Sequence, residues 1–295
     1  MIKISYINYW NDPHNDDYFT KFIEHNIGKV LKVKPTENPD ILISSCMGNI
    51  KNVQKIKSKC KIFFYGENLN RFPPYNNDKI LYDTFDLIVG FKSTDLIKKQ
   101  IRFPLWLMYY HYYKYEENDN ILTYIQNKYN ENVKKEKNIY GTIIARHDRG
   151  GQRTLIYDEL SKYGTIQSPG NFRNNTKPFG STHNDKINYI SNGIYNICPE
   201  NSCYENYFTE KIFQAFEGGT IPLYWATELP EQEIINKNKY CFCDVKNNEK
   251  LKKSLHNACI NPKEYIEGEL FTNHAGEKVK QFYDTLLENI QNCLQ

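Results

Sequence analysis

One stretch, Ile187 to Trp225, limits the possible folds more than any other part of the chain: INYISNGIYNICPENSCYENYFTEKIFQAFEGGTIPLYW. An apolar run ending at Cys198 predicts a buried strand, and a polar loop with Pro199, Glu200, Asn201 and Ser202 follows it. Glu210-Lys211 then opens a helix that stops at Gly218-Gly219, and a second strand runs through Trp225. Strand, loop, helix and strand in this order belong to an α/β fold. A charged pair at the mouth of such a unit is placed to hold a phosphorylated ligand near a helix amino terminus.

The same alternation recurs along the chain. Strands are predicted over residues 2–7, 30–33, 41–45, 61–65 and 87–91, with an amphipathic helix carrying Phe19, Phe22, Ile23 and Ile27 between the first two. Strands alternating with helices at this spacing indicate parallel sheets with crossover helices. At 295 residues the chain exceeds one typical core and suits two domains. Residues 116–137 turn rich in Asn, Glu and Lys, which puts the boundary there, with a possible linking helix through Ile121, Ile125 and Tyr129. The expected division is 1–130, 131–272 and a terminal amphipathic helix in 273–295 built on Val279, Phe282, Leu286 and Ile290. In the second half, a strand over 139–145, the loop RHDRGGQR (146–153) and a helix over 154–162 make another β-loop-α unit. A Gly, Pro and Asn-rich loop over 164–181 is of the kind that covers a ligand, and a last strand is expected over 240–245.

Bulk properties remove several functional classes. Net charge is +3, from 38 basic and 35 acidic residues, a weak field for a nucleic-acid partner. The basic run KNVQKIKSKCK (51–61) reads as an exposed helix face. MIKISYI at the start reads as a strand rather than a signal peptide, and no apolar run approaches the ~20 residues of a membrane span. A cytoplasmic protein without an integral membrane segment is the expectation. The eight cysteines are scattered, several in apolar runs (Cys46, Cys198, Cys241, Cys243), which predicts reduced core thiols. Cys241 and Cys243 share one strand face, but a zinc site there would need two further ligands and Asp244 alone is thin support, so no metal site is expected. The aromatic run RFPLWLMYYHYYKY (102–115) reads as a packed segment, with a sugar-stacking wall as the alternative.

Chemistry-bearing residues gather at predicted strand ends. Arg153 in one loop and Lys211 in another could neutralise a diphosphate together with a helix amino terminus. Glu210 could accept hydrogen bonds from sugar or ribose hydroxyls. No Asp-x-Asp occurs, the signature that commonly bridges a divalent ion to a nucleotide diphosphate, which favours cationic side chains in that role. Glu67, between Gly66 and Asn68 directly after a strand, is the carboxylate best placed to deprotonate an acceptor hydroxyl. Asp12, Asp16 and Asp17 compete with it from a polar loop.

Glu200-Asn201-Ser202, then Tyr207-Phe208-Thr209-Glu210-Lys211, then Gly219-Thr220-Ile221-Pro222 resembles the signature of family 10 glycosyltransferases, the α-1,3/1,4-fucosyltransferases. Tyr65-Gly66-Glu67-Asn68, Arg153 with Leu155 and Tyr157-Asp158, and Phe103-Pro104-Leu105 extend the resemblance more weakly over most of the chain. It implies a GT-B architecture, two Rossmann-like domains facing each other across a cleft, with the acceptor on the first and GDP-fucose on the second. It implies inverting, metal-independent transfer of fucose to a glycan hydroxyl, with no cofactor beyond the nucleotide-sugar donor. Carried over by position, Glu67 would be the general base. Arg153, Glu200, Asn201, Tyr207, Glu210 and Lys211 would bind the donor.

Two positions depart from the pattern. Pro199 stands where the family has Phe, and Asn206 where it has an acidic residue. The first keeps a different nucleotide-sugar donor open. A non-catalytic glycan-binding module using the aromatic segment remains the alternative of another class.

Overall fold

The computed structural model describes residues 1–10, 18–92 and 99–295, and the chain divides into two units. Met1–Asn120 and Glu277–Gln295 form the first, and Ile121–Gly276 the second. Asp12, Asp16 and Asp17 lie outside the described residues.

In the first unit the chain runs through β1 (Ile2–Ile7), α1 (Tyr18–Asn26), β2 (Val30–Lys32), β3 (Ile41–Ser44), α2 (Ile50–Gln54), β4 (Cys60–Phe64), α3 (Asp78–Thr84), β5 (Leu87–Gly90), β6 (Gln100–Arg102) and α4 (Leu105–Tyr109). The sheet order is β2-β1-β3-β4-β5-β6, with parallel pairing throughout. β3 and β5 are buried along their whole length, as parallel strands covered on both faces must be, which is why they read as continuous apolar runs. Helix α1 buries Phe19, Phe22 and Ile23, the i, i+3, i+4 stripe its sequence predicts.

The second unit contains α5 (Ile121–Asn132), β7 (Ile139–Ile143), α6 (Gln152–Leu160), β8 (Ile166–Gln167), α7 (His183–Ile190), β9 (Gly193–Ile197), α8 (Lys211–Glu217), β10 (Ile221–Tyr224), β11 (Cys241–Phe242), α9 (Asn248–Ile260) and α10 (Pro262–Ile266). Its strands, also parallel, follow the order β11-β10-β9-β7-β8. From β7 the chain builds outward to β8 on one side and to β9, β10 and β11 on the other. The loops leaving the carboxyl ends of β7 and β9 therefore part at a topological switch point, where open α/β sheets hold ligands. Gly219, which follows α8, has φ +63°, and a Cβ there would collide with the backbone of Asn132 and Val133.

Helix α11 (Ala275–Leu294) returns the chain to the first unit, where Val279, Leu286 and Ile290 are fully buried. Tyr283 stacks on Phe22, and Cys293 forms a disulfide with Cys60 of β4. That bond corrects the expectation of uniformly reduced cysteines. Its partners are 233 residues apart, a separation that no local pattern announces. Cys46, Cys198, Cys241 and Cys243 are buried free thiols.

Other expectations change locally. The run ending at Cys198 does hold a buried strand, β9 from Gly193 to Ile197, but its first residues are helical: Thr182 and Asp185 cap each other reciprocally and start α7, which runs to Ile190. Within the expected loop 164–181, Ile166–Gln167 pairs with β7 as a short edge strand. The basic run is helical only as far as Gln54. In the aromatic segment Phe103, Trp106 and Leu107 are fully buried, which supports packing rather than a sugar-stacking wall there.

Candidate active site

Within the second unit, a cavity of about 320 Å³ opens at the switch point between β7 and β9. Ala145, Arg146 and His147 line it from the β7 loop, and Arg153 from α6. Asn196 to Pro199 and Asn201 contribute the β9 side, and Lys186, Glu210, Lys211 and Gln214 the helical side. Among the described residues that line it, Arg146, Arg153, Lys186 and Lys211 are basic, and Glu210 is the one carboxylate. The balance suits a ligand with more than one negative charge.

Arg153 is held by protein groups on two sides. Its guanidinium donates to the His147 carbonyl and, at 2.7 Å, to Asn201 Oδ1. Burial lowers its pKa, and Asp148, Glu200 and Tyr207 oppose that shift. Gly151, with φ +79°, makes the turn into α6. The Asp148 carboxylate accepts from the backbone N–H of Arg153 (3.2 Å) and Thr154 (2.7 Å). Those two amides of the α6 amino terminus are thus engaged within the protein.

Lys211 is anchored from behind. Its Nζ donates to Glu200 Oε2 at 2.8 Å and to Thr209 Oγ1 at 2.7 Å. Glu200 has no exposed surface and also accepts from Thr209 N–H and Tyr224 O–H, each at 2.8 Å. Its carboxylate lies outside the cavity wall, so the site residue expected to touch the donor stands behind Lys211 instead. Burial alone would lower the Lys211 pKa, but Glu200 and Glu210 outweigh it and hold the ammonium well above its ordinary value. Glu210 shows the mirror case: burial raises its pKa, and Lys211 and Lys186 more than compensate, so the carboxylate titrates below its usual range.

Asn201 lines the cavity, whereas Tyr207 is buried outside its wall, 2% exposed. Asn206, the second departure, sits at φ +53°, a left-handed backbone position that asparagine tolerates well. Pro199, the first departure, lines the cavity directly.

Glu67 belongs to the first unit. It follows β4 at the carboxyl edge of that sheet, partly buried, with Arg71 at 4.0 Å. The buried Cys46 thiol lies close enough for Glu67 to contribute to its raised pKa, which burial dominates.

Sequence reasoning does not pick out Lys186, Asn196 or Gln214. Lys186 and Gln214 meet at 2.6 Å on the helical side of the cavity. The signal for Lys186 was present, because the capping pair Thr182-x-x-Asp185 starts the helix that carries it. Among the described residues no group of three or more His, Cys, Asp or Glu side chains is arranged to hold a metal ion. No described helix is long and apolar enough to cross a membrane.

Two family profiles match this chain. One, described as the alpha-(1,3)-fucosyltransferase FucT N-terminal domain, covers residues 4–109. The other, glycosyltransferase family 10 (fucosyltransferase) C-term, covers residues 132–293. The alpha-(1,3)-fucosyltransferase FucT of Helicobacter pylori is 23% identical over 328 residues, covering 98% of this chain. The chain spans 66% of the length of that relative. A solved alpha1,3-fucosyltransferase superposes with a TM-score of 0.70 at 20% identity, covering 97% of this chain and 90% of the other. A second, with GDP-fucose, reaches 0.64 at the same identity and coverage. These likenesses are of fold, and the fold is GT-B, with its two parallel α/β sheets.

Proposed function

The chain belongs to glycosyltransferase family 10, the fucosyltransferases, and on that premise we propose that it transfers fucose from GDP-fucose to a hydroxyl of a glycan acceptor with inversion at the anomeric carbon. The observation that carries this reading is the cavity at the β7–β9 switch point, where Arg153 and Lys211 converge on a space of about 320 Å³.

The proposed reaction is a single displacement. Glu67 takes the proton of the acceptor hydroxyl, whose oxygen attacks the anomeric carbon of fucose as the bond to the β-phosphate oxygen breaks. The leaving GDP carries the negative charge that Arg153 and Lys211 receive. Preorganised cations stabilise such charge well because they need no reorganisation during the reaction. Glu210 accepts hydrogen bonds from donor hydroxyls, and Asn201 keeps the guanidinium of Arg153 aimed. Glu200, with its carboxylate behind Lys211, acts through that lysine. In this reading the side-chain cations serve the leaving group without a divalent ion. The first unit binds the acceptor and the second the donor.

A GDP-release assay with GDP-fucose against an acceptor array, with and without a metal chelator, tests the proposal. Release that depends on one acceptor and persists in chelator supports it. Absence of release across a broad array, or release abolished by the chelator and restored by a divalent ion, counts against it.

A second reading keeps the fold and mechanism but changes the donor, because Pro199 replaces the family Phe on the cavity wall itself. Melting curves with GDP, UDP, CMP and dTDP separate the two, since a bound nucleotide raises apparent stability. A shift with GDP alone favours GDP-fucose, and a shift with a non-guanine nucleotide alone favours the second reading.

A further inference from the structure

We propose that Trp10, beside Glu67 at the carboxyl edge of the first sheet, is the residue on which the acceptor stacks. Its indole takes the C–H face of a pyranose ring, and its N–H meets a sugar hydroxyl. The proposal rests on the reading of Glu67 as the acceptor-side base given above.

β1 and β4 run parallel with β3 between them. Trp10 and Glu67 each follow the last residue of their strand, Ile7 and Phe64, by the same short stretch of chain. Two strand spacings separate β1 from β4, about 10 Å. The indole crosses that gap: its ring centroid lies 5.8 Å from that of Phe64. A Cβ placed on Gly66 would meet Leu105 Cδ1 at 3.0 Å and Trp10 Cη2 at 3.4 Å. Glycine at the position before Glu67 thus lets the backbone close on the ring. Tyr9 braces the indole in a T-shaped contact, centroids 5.0 Å apart. The ring therefore stands against the chain segment that carries the base.

Packing alone does not account for an indole here. A leucine or phenylalanine would cover Phe64 without bringing a polar group to the edge of the core. Among the described residues, which hold all three tryptophans, Trp106 has no exposed surface and Trp225 is 7% exposed, so Trp10 is the one partly open to solvent. Its N–H makes no hydrogen bond among the described residues, whereas the N–H of a buried tryptophan usually finds a partner. A partly open apolar ring with one unused donor, next to a carboxylate, matches a pyranose, which offers C–H groups on its face and hydroxyls around its rim.

The test takes the glycan that gives the fastest GDP release in the acceptor array and applies it to the full chain. With GDP present and GDP-fucose absent, that glycan is expected to change the tryptophan emission of wild type. The change should vanish in Trp10→Phe, because Trp106 and Trp225 remain in both proteins. At saturating GDP-fucose, Trp10→Ala should raise the acceptor KM about tenfold and Trp10→Phe about threefold, with kcat within about twofold of wild type. GDP affinity by calorimetric titration should stay within about twofold in both variants, since the ring serves the acceptor. An unchanged acceptor KM in Trp10→Ala overturns the proposal, as does the wild-type emission change persisting in folded Trp10→Phe. Losses of kcat and GDP affinity as large as the rise in KM mark a structural role and overturn it too. If Trp10→Ala does not fold, the emission and KM of Trp10→Phe decide. A wild-type protein that releases no GDP with any glycan defeats the transferase reading itself, whereas release with an unchanged KM in the variants defeats only the role of Trp10.

Discussion

Lys211 donates a 2.8 Å bond to Glu200, so a cation that faces the cavity is held from behind by an anion that no solvent reaches. The arrangement fixes the ammonium without neutralising its face toward the ligand. Glu200→Gln keeps the shape and the acceptor for Thr209 and Tyr224 but leaves Lys211 without its countercharge. Removing one partner of a buried pair costs about 3 kcal/mol or more. Urea denaturation should register that loss, and GDP affinity should fall with it. Stability equal to wild type would show that the pair is not what holds Lys211.

Arg153 makes a second preformed contact, bonding the His147 carbonyl and Asn201 together. A lysine at this position is a point charge without the planar fork that serves two acceptors. Arg153→Lys is therefore expected to weaken GDP about tenfold, or about 1.4 kcal/mol, although charge is conserved. Calorimetric titration at fixed salt checks it, and wild-type affinity would mean that charge alone matters there.

Lys137 tests how the helices around the site are held. Its ammonium donates to the carbonyls of Asn132, Ser191 and Gly218, at the carboxyl ends of α5, α7 and α8. A cation at three helix ends satisfies their terminal carbonyls and opposes their dipoles. Lys137→Met should lower unfolding free energy by about 2 kcal/mol, with GDP affinity in the folded protein nearly unchanged. A loss within about 0.5 kcal/mol would contradict the shared-cap role.

In the proposed reaction Glu67 separates the chemical step from donor binding. Glu67→Ala is expected to abolish nearly all transfer while GDP affinity stays within about a few-fold, since a base acts on the acceptor. GDP release and GDP titration on the same preparation check both halves. Loss of GDP binding in the folded variant would remove Glu67 from the base role.

Much of this architecture was legible in the residues. β3 and β5 read as unbroken apolar runs because both faces are covered, and α8 is bounded by Glu210 and Gly218 as its local signals predict. Arg153 and Lys211 stand out through their β-loop-α context and the family resemblance, because a Glu-Lys pair by itself also starts ordinary helices. The position of Glu200 was not legible. It depends on Tyr224 of β10 and Thr209 converging on one carboxylate, and spacing along the chain does not encode that. Lys186 was hidden by a boundary. The apolar residues of 187–198 suit a strand, and only the Thr182–Asp185 cap reveals that the first of them are helical. The Cys60–Cys293 bond joins residues brought together by tertiary structure alone.

The central claim, that the cavity at the β7–β9 switch point is the nucleotide-diphosphate site, is tested most directly by titrating GDP into wild type and Lys211→Ala. On the proposed reading the variant lacks a charged hydrogen bond to the diphosphate, so its affinity should fall by ~1.5–3 kcal/mol, about 10- to 150-fold, in protein whose melting curve shows it folded. Equal GDP affinity in the two proteins would contradict the claim.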